Sequence, residues 1–368
     1  MELQLRNQYF YTRIESPTQV NELLKDLSKK SIFLVIDHNV DNDFLRKLII
    51  ELENRGVISG KYLHDGSEPS TKIVEEVKRE VNKVENDSIM GIGGGSTLDL
   101  MKAISVLHDQ SITAADAQGA KLNIKQKLFS FAVPTTAGSG AEATKSAVVT
   151  NLDAKLKRGI NHLRVLPDVA LLAPRILEEI PSRIFVASVF DGITHAIESL
   201  IGKSGSKDVK ATARFALAIY VRQVRQLFRD DSVKIDTQIL EASYFAGVAI
   251  CNSETGPIHA ISYPLSEHCN YGHGEAIGLL LPKVLRIYIE SDKKLGELLE
   301  SSVGMAPYQF VTVLEEIYAK YVENLKNPKP INNIDMLAAR SLELLGAINN
   351  SPVPWNESLS KEVLQKCI

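Results

Sequence analysis

The sequence predicts two domains: an N-terminal α/β domain built on a parallel sheet, and an all-α C-terminal domain, meeting near Pro174. Three observations predict this. Short apolar runs alternate with helically spaced patterns through the first half, the rhythm of a parallel sheet covered by helices. From Pro174 onward, long helical patterns follow one another with no convincing strand among them. The length, 368 residues, suits two domains at about 150 residues each. The domains are drawn at residues 1–173 and 174–368.

In chain order, residues 31–36 (SIFLVI) are a short apolar run and read as a buried strand. Residues 41–54 have helical spacing. Residues 57–63 form the next strand and 71–84 the next amphipathic helix. A strand over 87–92, a helix over 97–107 and a strand over 128–133 follow, and 165–172 is the last strand of the sheet. In the second half, helices are predicted over 184–201, 209–228, 235–252, 275–290, 307–321 and 334–345. A cleft between two such halves is the default place for a ligand.

Composition excludes several classes. A net charge of −3 with 24% charged residues lacks the basic surface that nucleic acid needs. Cys251, Cys269 and Cys367 are distant and odd in number, so they make no disulfide framework, and a reduced cytoplasmic compartment is expected. Residues 1–10 carry Glu2 and Arg6 and no apolar core, so no signal peptide is expected. Residues 276–289 are the longest apolar stretch read, but Lys283 and Arg286 break it and it is too short for a bilayer. No membrane partner is expected.

Two loops in the first half carry chemistry. Gly93, Gly94, Gly95, Ser96 and Thr97 follow a strand and open a helix. Glycines admit a close backbone approach, and a helix N-terminus offers unpaired N–H groups to a pyrophosphate. The strict dinucleotide fingerprint is not met, since Leu98 stands where a third glycine belongs. On this motif alone, a plain glycine turn explains as much. A second loop, with Pro134, Thr135, Thr136, Gly138, Ser139 and Gly140, also follows an apolar strand and supplies hydroxyls and flexible backbone. Asp37 ends a strand, where a carboxylate can accept from an adenosine ribose and repel a 2′-phosphate, favouring NAD over NADP. A helix cap or turn residue is the competing reading for it.

The second half carries a constellation of ligand types. Within residues 184–197 only Asp191 and His195 are ionisable. Four residues apart, they share one helix face. In apolar surroundings such groups are costly unless paired or coordinated; an internal Asp–His hydrogen bond is the alternative for the pair alone. His259 is the sole imidazole of another small, apolar stretch, and His273 follows just before the helix at Glu275. One carboxylate and three imidazoles suit Zn²⁺ or Fe²⁺ equally. His268 competes as a ligand and ranks second to His273. His38, His64, His108 and His162 stand in polar contexts and are read as solvated.

The ordered set of Gly93 to Ser96 with Asp99 and Lys102, then residues 134–142, then Asp191 and His195, then His259 and His273 resembles the iron-containing (group III) alcohol dehydrogenase family, of the dehydroquinate synthase-like superfamily. The resemblance implies a Rossmann-like N-terminal domain and a helical C-terminal domain. It implies that Asp191, His195, His259 and His273 bind Fe²⁺ or Zn²⁺. It implies cofactor contacts from Gly93, Gly94, Gly95, Ser96, Asp99, Thr135, Thr136 and Ser139, with Asp37 marking NAD and NADP less favoured. Lys157 falls where the family often has a cofactor-proximal lysine. The reaction implied is hydride transfer between an alcohol, or an aldehyde or ketone, and NAD(P), with the metal stabilising the alkoxide.

Two departures from the family stand out. Many members carry a second histidine four residues after the third metal ligand; here Tyr263 stands there, or a water or His268 moves the proton instead. The ending, residues 351–368, is also not the family's usual one. Tyr263, with Lys157, Arg158, Gly159, Ile160 and Asn161 before it, resembles the branch that oxidises the terminal hydroxyl of an eight-carbon sugar acid. The substrate expected is therefore a small alcohol, an aldehyde or a sugar acid, and a homodimer is usual in similar proteins. Competing readings are a cyclase of the dehydroquinate-synthase type, against which the spacing of Asp191 and His195 argues, an oxidase-like member that passes electrons to oxygen, and a nucleotide-binding scaffold with a structural metal.

Overall fold

The structure, a computed structural model, describes residues 11–154, 156–230, 232–322 and 329–368. Residues 1–10, on which the expectation of no signal peptide rests, lie outside the described residues. The chain divides into two compact units, residues 4–180 and 181–368.

The first unit alternates strand and helix: β1 (Tyr11–Arg13), α1 (Pro17–Asp26), β2 (Ile32–Asp37), α2 (Asp43–Arg55), β3 (Ile58–His64), α3 (Thr71–Val81), β4 (Ser88–Gly93), α4 (Gly95–Leu107), the short α5 (Ala114–Ala117), β5 (Phe129–Pro134), β6 (Ser146–Asn151), β7 (Leu156–Asn161) and β8 (Val169–Leu172). Six strands form one sheet in the order β1-β8-β5-β4-β2-β3, every pair parallel. β2 and β4 are buried on both faces, which is why their sequences are continuous apolar runs. Phe33, Val35, Ile89 and Ala132 share one core cluster with Val74 and Val77 of α3 and the buried residues of α4. Each fully buried side chain of that size contributes about 1.5–3 kcal/mol.

Several elements differ from expectation. The strand expected over 165–172 begins at Val169, because Leu163–Val165 form a 3₁₀ turn and Pro167 cannot join a ladder. The helix expected to reach residue 84 stops at Val81, and Val84 is exposed. β1, α1 and the antiparallel β6–β7 hairpin were not anticipated. The hairpin packs on α4 through Ala147, Val149 and Ile160, so α4 is buried nearly all round.

The second unit is helical, with no strand among its described residues: α6 (Ser182–Ile201), α7 (Lys207–Arg229), α8 (Ile239–Cys251), α9 (Pro257–Cys269), α10 (His273–Ser291), α11 (Lys293–Val303), α12 (Pro307–Tyr321), α13 (Ile334–Ser341), α14 (Leu345–Asn350) and α15 (Glu357–Gln365). α9, α11 and α15 were not predicted, and the helix expected over 334–345 breaks after Ser341. α6 is longer than the stretch singled out from the sequence, and by length and composition could cross a bilayer. Its window is 89% buried inside the protein, so it is the core helix around which α7, α8 and α10 pack.

Candidate active site

In the first unit, β2 and β4 are neighbours from which the chain departs in opposite directions, to β3 on one side and β5 on the other. Ligands of open α/β sheets bind at such a point, outside the carboxyl ends of the strands. Asp37 ends β2, Gly93 ends β4 and Pro134 ends β5. Gly94 is the extended N-cap of α4, with no side chain covering the first N–H groups of the helix. The two loops touch. Thr135 N donates to Gly93 O at 3.0 Å, and a Cβ on Gly95 would stand 2.9 Å from Ser139 Cβ. Gly93, Gly94, Gly95, Ser96, Thr135, Thr136 and Ser139 therefore line one rim. Asp37 Oδ1 accepts from Asn39 N at 3.0 Å and from Asn39 Nδ2 at 3.1 Å, an Asx turn that fixes the orientation of the carboxylate.

Two residues grouped with the cofactor loop hold other partners. Asp99 receives Lys102 Nζ at 2.9 Å on one oxygen and Val148 N at 2.9 Å on the other. It fastens the hairpin to α4, beneath the rim. Lys157 lies on β7, paired with the Glu68 carboxylate. His64, read as solvated, is buried, with Nδ1 2.9 Å from Thr97 Oγ1. Burial lowers its pKa.

The second unit brings the four expected ligands together. Asp191 and His195 lie one turn apart on α6, His259 in the first turn of α9, and His273 is the first residue of α10. Three imidazole nitrogens converge on a single oxygen, Asp191 Oδ1: Nε2 of His259 and of His273 at 3.5 Å each, and of His195 at 3.7 Å. The His195 and His259 rings stack at 4.7 Å. These separations exceed the 2.7–3.2 Å of a hydrogen bond, which removes the internally bonded Asp–His pair as the explanation. They suit donors that share an ion: tetrahedral bonds of about 2.1 Å put neighbouring donors about 3.4 Å apart. Asp191 Oδ1 and His259 Nε2 are buried and have no hydrogen-bond partner among the described residues, a costly condition unless a ligand completes them. Donor atoms of Asp191, His195 and His259 all lie within 4.8 Å of one another. His273 reaches the shared oxygen but is the outermost, its side chain 31% exposed.

The electrostatics fit that arrangement. Burial would raise the Asp191 carboxyl, but His195, then His273 and His259, hold it well below the usual range. Burial would lower His259, but the Glu198 carboxylate, with Asp191, outweighs it and holds the imidazole at about 9.

Tyr263 is one turn beyond His259, its ring 5.8 Å from that of His273. His268 lies at the far end of α9, its Nε2 3.3 Å from Arg340 Nη1, outside the cluster. Two supporting residues were missed. Glu275 accepts Gly272 N at 2.8 Å and Arg183 Nη2 at 2.5 Å, fixing the start of α10 beside His273. Glu198 sits behind His259. Its spacing from Asp191 and His195 on one apolar helix was the signal available.

Comparison with known proteins adds independent findings. The family model "Iron-containing alcohol dehydrogenase" matches residues 9–174, and "Fe-containing alcohol dehydrogenase family, C-terminal" matches residues 185–341. Long-chain-alcohol dehydrogenase 1 of Geobacillus thermodenitrificans is 29% identical over 359 residues, 91% of this chain and 89% of that protein. Among solved structures, a sulfoacetaldehyde reductase from Bifidobacterium kashiwanohense in complex with NAD⁺ superposes with a TM-score of 0.86 at 21% identity, covering 97% and 96% of the two chains. A 1,3-propanediol oxidoreductase superposes at 0.85 and 23% identity, covering 98% of each. At these identities the solved structures speak for the fold.

Proposed function

From a chain that belongs to the iron-containing alcohol dehydrogenase family, and is thereby a metal-dependent alcohol oxidoreductase, we propose the following division of labour. Asp191, His195, His259 and His273 hold one divalent metal, iron in keeping with the family's description, with Zn²⁺ suited to the same donors. The loops at Gly93 to Ser96 and Thr135 to Ser139 hold the pyrophosphate of NAD, and Asp37 faces the ribose. The nucleotide domain then ends at the turn after β8, and the metal domain begins with α6.

The observation that carries this reading is the convergence of three imidazole nitrogens on Asp191 Oδ1 at distances too long for hydrogen bonds. When bound, the metal supplies Lewis acidity toward the substrate hydroxyl and NAD accepts the hydride. The chain's residues do the rest. The donor set carries one negative charge, Asp191, so a divalent ion there keeps a net positive charge that favours an anionic oxygen. The apolar body of α6 excludes water behind the site. Tyr263, beside the most exposed ligand, is the residue we assign to carry the proton to solvent. Asp99 and Lys102 support the loop from below.

The substrate is a small alcohol. Tyr263 and the residues 157–161 support including sugar acids among those to be tried, and we propose a cytoplasmic homodimer, consistent with cysteines that form no disulfide. The test is metal analysis of the purified protein, NAD titration, and NADH absorbance over a panel of alcohols and sugar acids, with sedimentation for the dimer. One equivalent of iron or zinc, with NADH formed from a panel member, is expected. Metal and NAD bound without NADH from any alcohol would favour a cyclase or an oxidase, and no metal after anaerobic reconstitution would remove the ligand set.

A further inference from the structure

We propose that Glu198 is the positioning residue of this centre: it holds His259 by the Nδ1–H and so presents a bare Nε2 to the metal. The inference rests on the ligand set proposed above. Glu198 is on the same face of α6 as Asp191 and His195, is 2% exposed, and meets three donors. Gly256 N donates to Oε2 at 2.6 Å, Ile258 N to Oε1 at 3.0 Å, and His259 Nδ1 lies 2.6 Å from Oε2. A carboxylate only accepts, so the ring nitrogen facing it carries the hydrogen. The other nitrogen, Nε2, is the one that faces Asp191 Oδ1.

Two of the three donors are backbone N–H groups at the start of α9, which every helix leaves unpaired. Pro257, between them, has none to satisfy. One carboxylate therefore decides both where α9 begins and how its first-turn histidine is rotated. The fit is close: a Cβ at position 256 would stand 2.7 Å from Glu198 Oε1, so glycine is required there. A metal-bound histidine anchored to a carboxylate has a fixed ring and a more basic donor, and loss of the anchor costs about 10- to 100-fold in metal affinity.

Glu198→Gln keeps the volume but offers one acceptor oxygen to three donors. The measurement is Co²⁺ affinity by chelator competition, together with the ligand-field spectrum of the Co²⁺ protein and the Tm of the metal-free protein. We expect affinity to fall by about 10- to 100-fold with a shifted spectrum, and Glu198→Asp, which keeps the charge, to recover part of both. A lower metal-free Tm with wild-type Co²⁺ affinity and spectrum would mean that Glu198 only supports the fold, and would overturn the proposal. A wild-type protein that binds no Co²⁺ would overturn the ligand set and this inference with it. If the variants do not fold, ¹⁵N-histidine NMR of the zinc-loaded wild type decides: His259 protonated at Nδ1 is expected, and protonation at Nε2 refutes the assignment.

Discussion

His259 and His273 stand at equal distances from Asp191 Oδ1, yet replacing them with alanine should have unequal consequences. A four-ligand zinc site contributes about 10–16 kcal/mol, so one ligand accounts for about 3 kcal/mol, some 100-fold in affinity. His273 is 31% exposed and its Nδ1 has no partner among the described residues, so a water can take the vacated position and no other bond is lost. His273→Ala should weaken metal binding by about 100-fold or less. His259 is 1% exposed and bonded to Glu198. Its removal also forfeits a charge-assisted hydrogen bond of about 1.5–3 kcal/mol and leaves a cavity that water reaches poorly. His259→Ala should cost a further 10- to 100-fold and lower the Tm of the metal-free protein by several degrees, with activity lost. Competition titration with a chromogenic chelator, alongside calorimetry of both metal-free variants, measures each quantity. Equal losses, or a larger loss for His273→Ala, would refute the argument that anchoring and burial rank these ligands.

Four further outcomes follow, two from the metal site and two from the cofactor rim. Metal must displace the proton that Glu198 and Asp191, against the effect of burial, hold on His259 up to about pH 9; apparent affinity should therefore rise about tenfold per pH unit from 7 to 9, and a flat profile would remove His259 from the ligand set. The same raised value stabilises the metal-free fold fully below 6.5 and progressively less as pH climbs through 9, so its Tm should decline across that window while that of the loaded protein holds. Gly95→Ala puts a Cβ 2.9 Å from Ser139 Cβ and should weaken NAD binding about tenfold or more by overpacking the rim, leaving metal content unchanged; unaltered NAD titration would separate the loop from the cofactor. Asp37→Ala removes the charge that disfavours a 2′-phosphate, and the ratio of NADP to NAD affinity should rise by about tenfold, whereas an unchanged ratio would leave Asp37 as a turn residue only.

What was legible in the sequence depended on how local the cause was. Residues 32–37 and 88–93 show as apolar runs because both faces of their strands are covered. β7 is invisible because its exposed positions include Leu156 and its partly covered ones Lys157, so exposure does not follow an apolar–polar alternation, and β1 is three residues long. α9 was hidden by its punctuation: Pro257 is harmless at the first helical position, and Pro264 interrupts a helix that tertiary packing retains. Asp191, His195, His259 and His273 were readable because ionisable groups in apolar stretches need a reason. Glu198 carries only the weaker signal of its spacing on the same helix, since its donors arrive about 60 residues later. Asp99 illustrates the opposite failure, where spacing identified the motif but tertiary packing turned the carboxylate toward Lys102 and Val148.

The oxygen on which three helices converge is also a place where the chain closes on itself. Nearly 70 residues of α6, α7 and α8 with their connections separate Asp191 from His259. By loop-closure arithmetic, a tether across a ring of about 70 residues removes about 4 kcal/mol of disorder from the unfolded chain. A metal retained by the unfolding protein would thus act as a removable clasp on its topology. Chelation would then change more than chemistry: α6 would keep its Glu198 contacts to α9 but lose the tie through the metal, and the time the helical unit takes to come apart would become a function of free metal concentration.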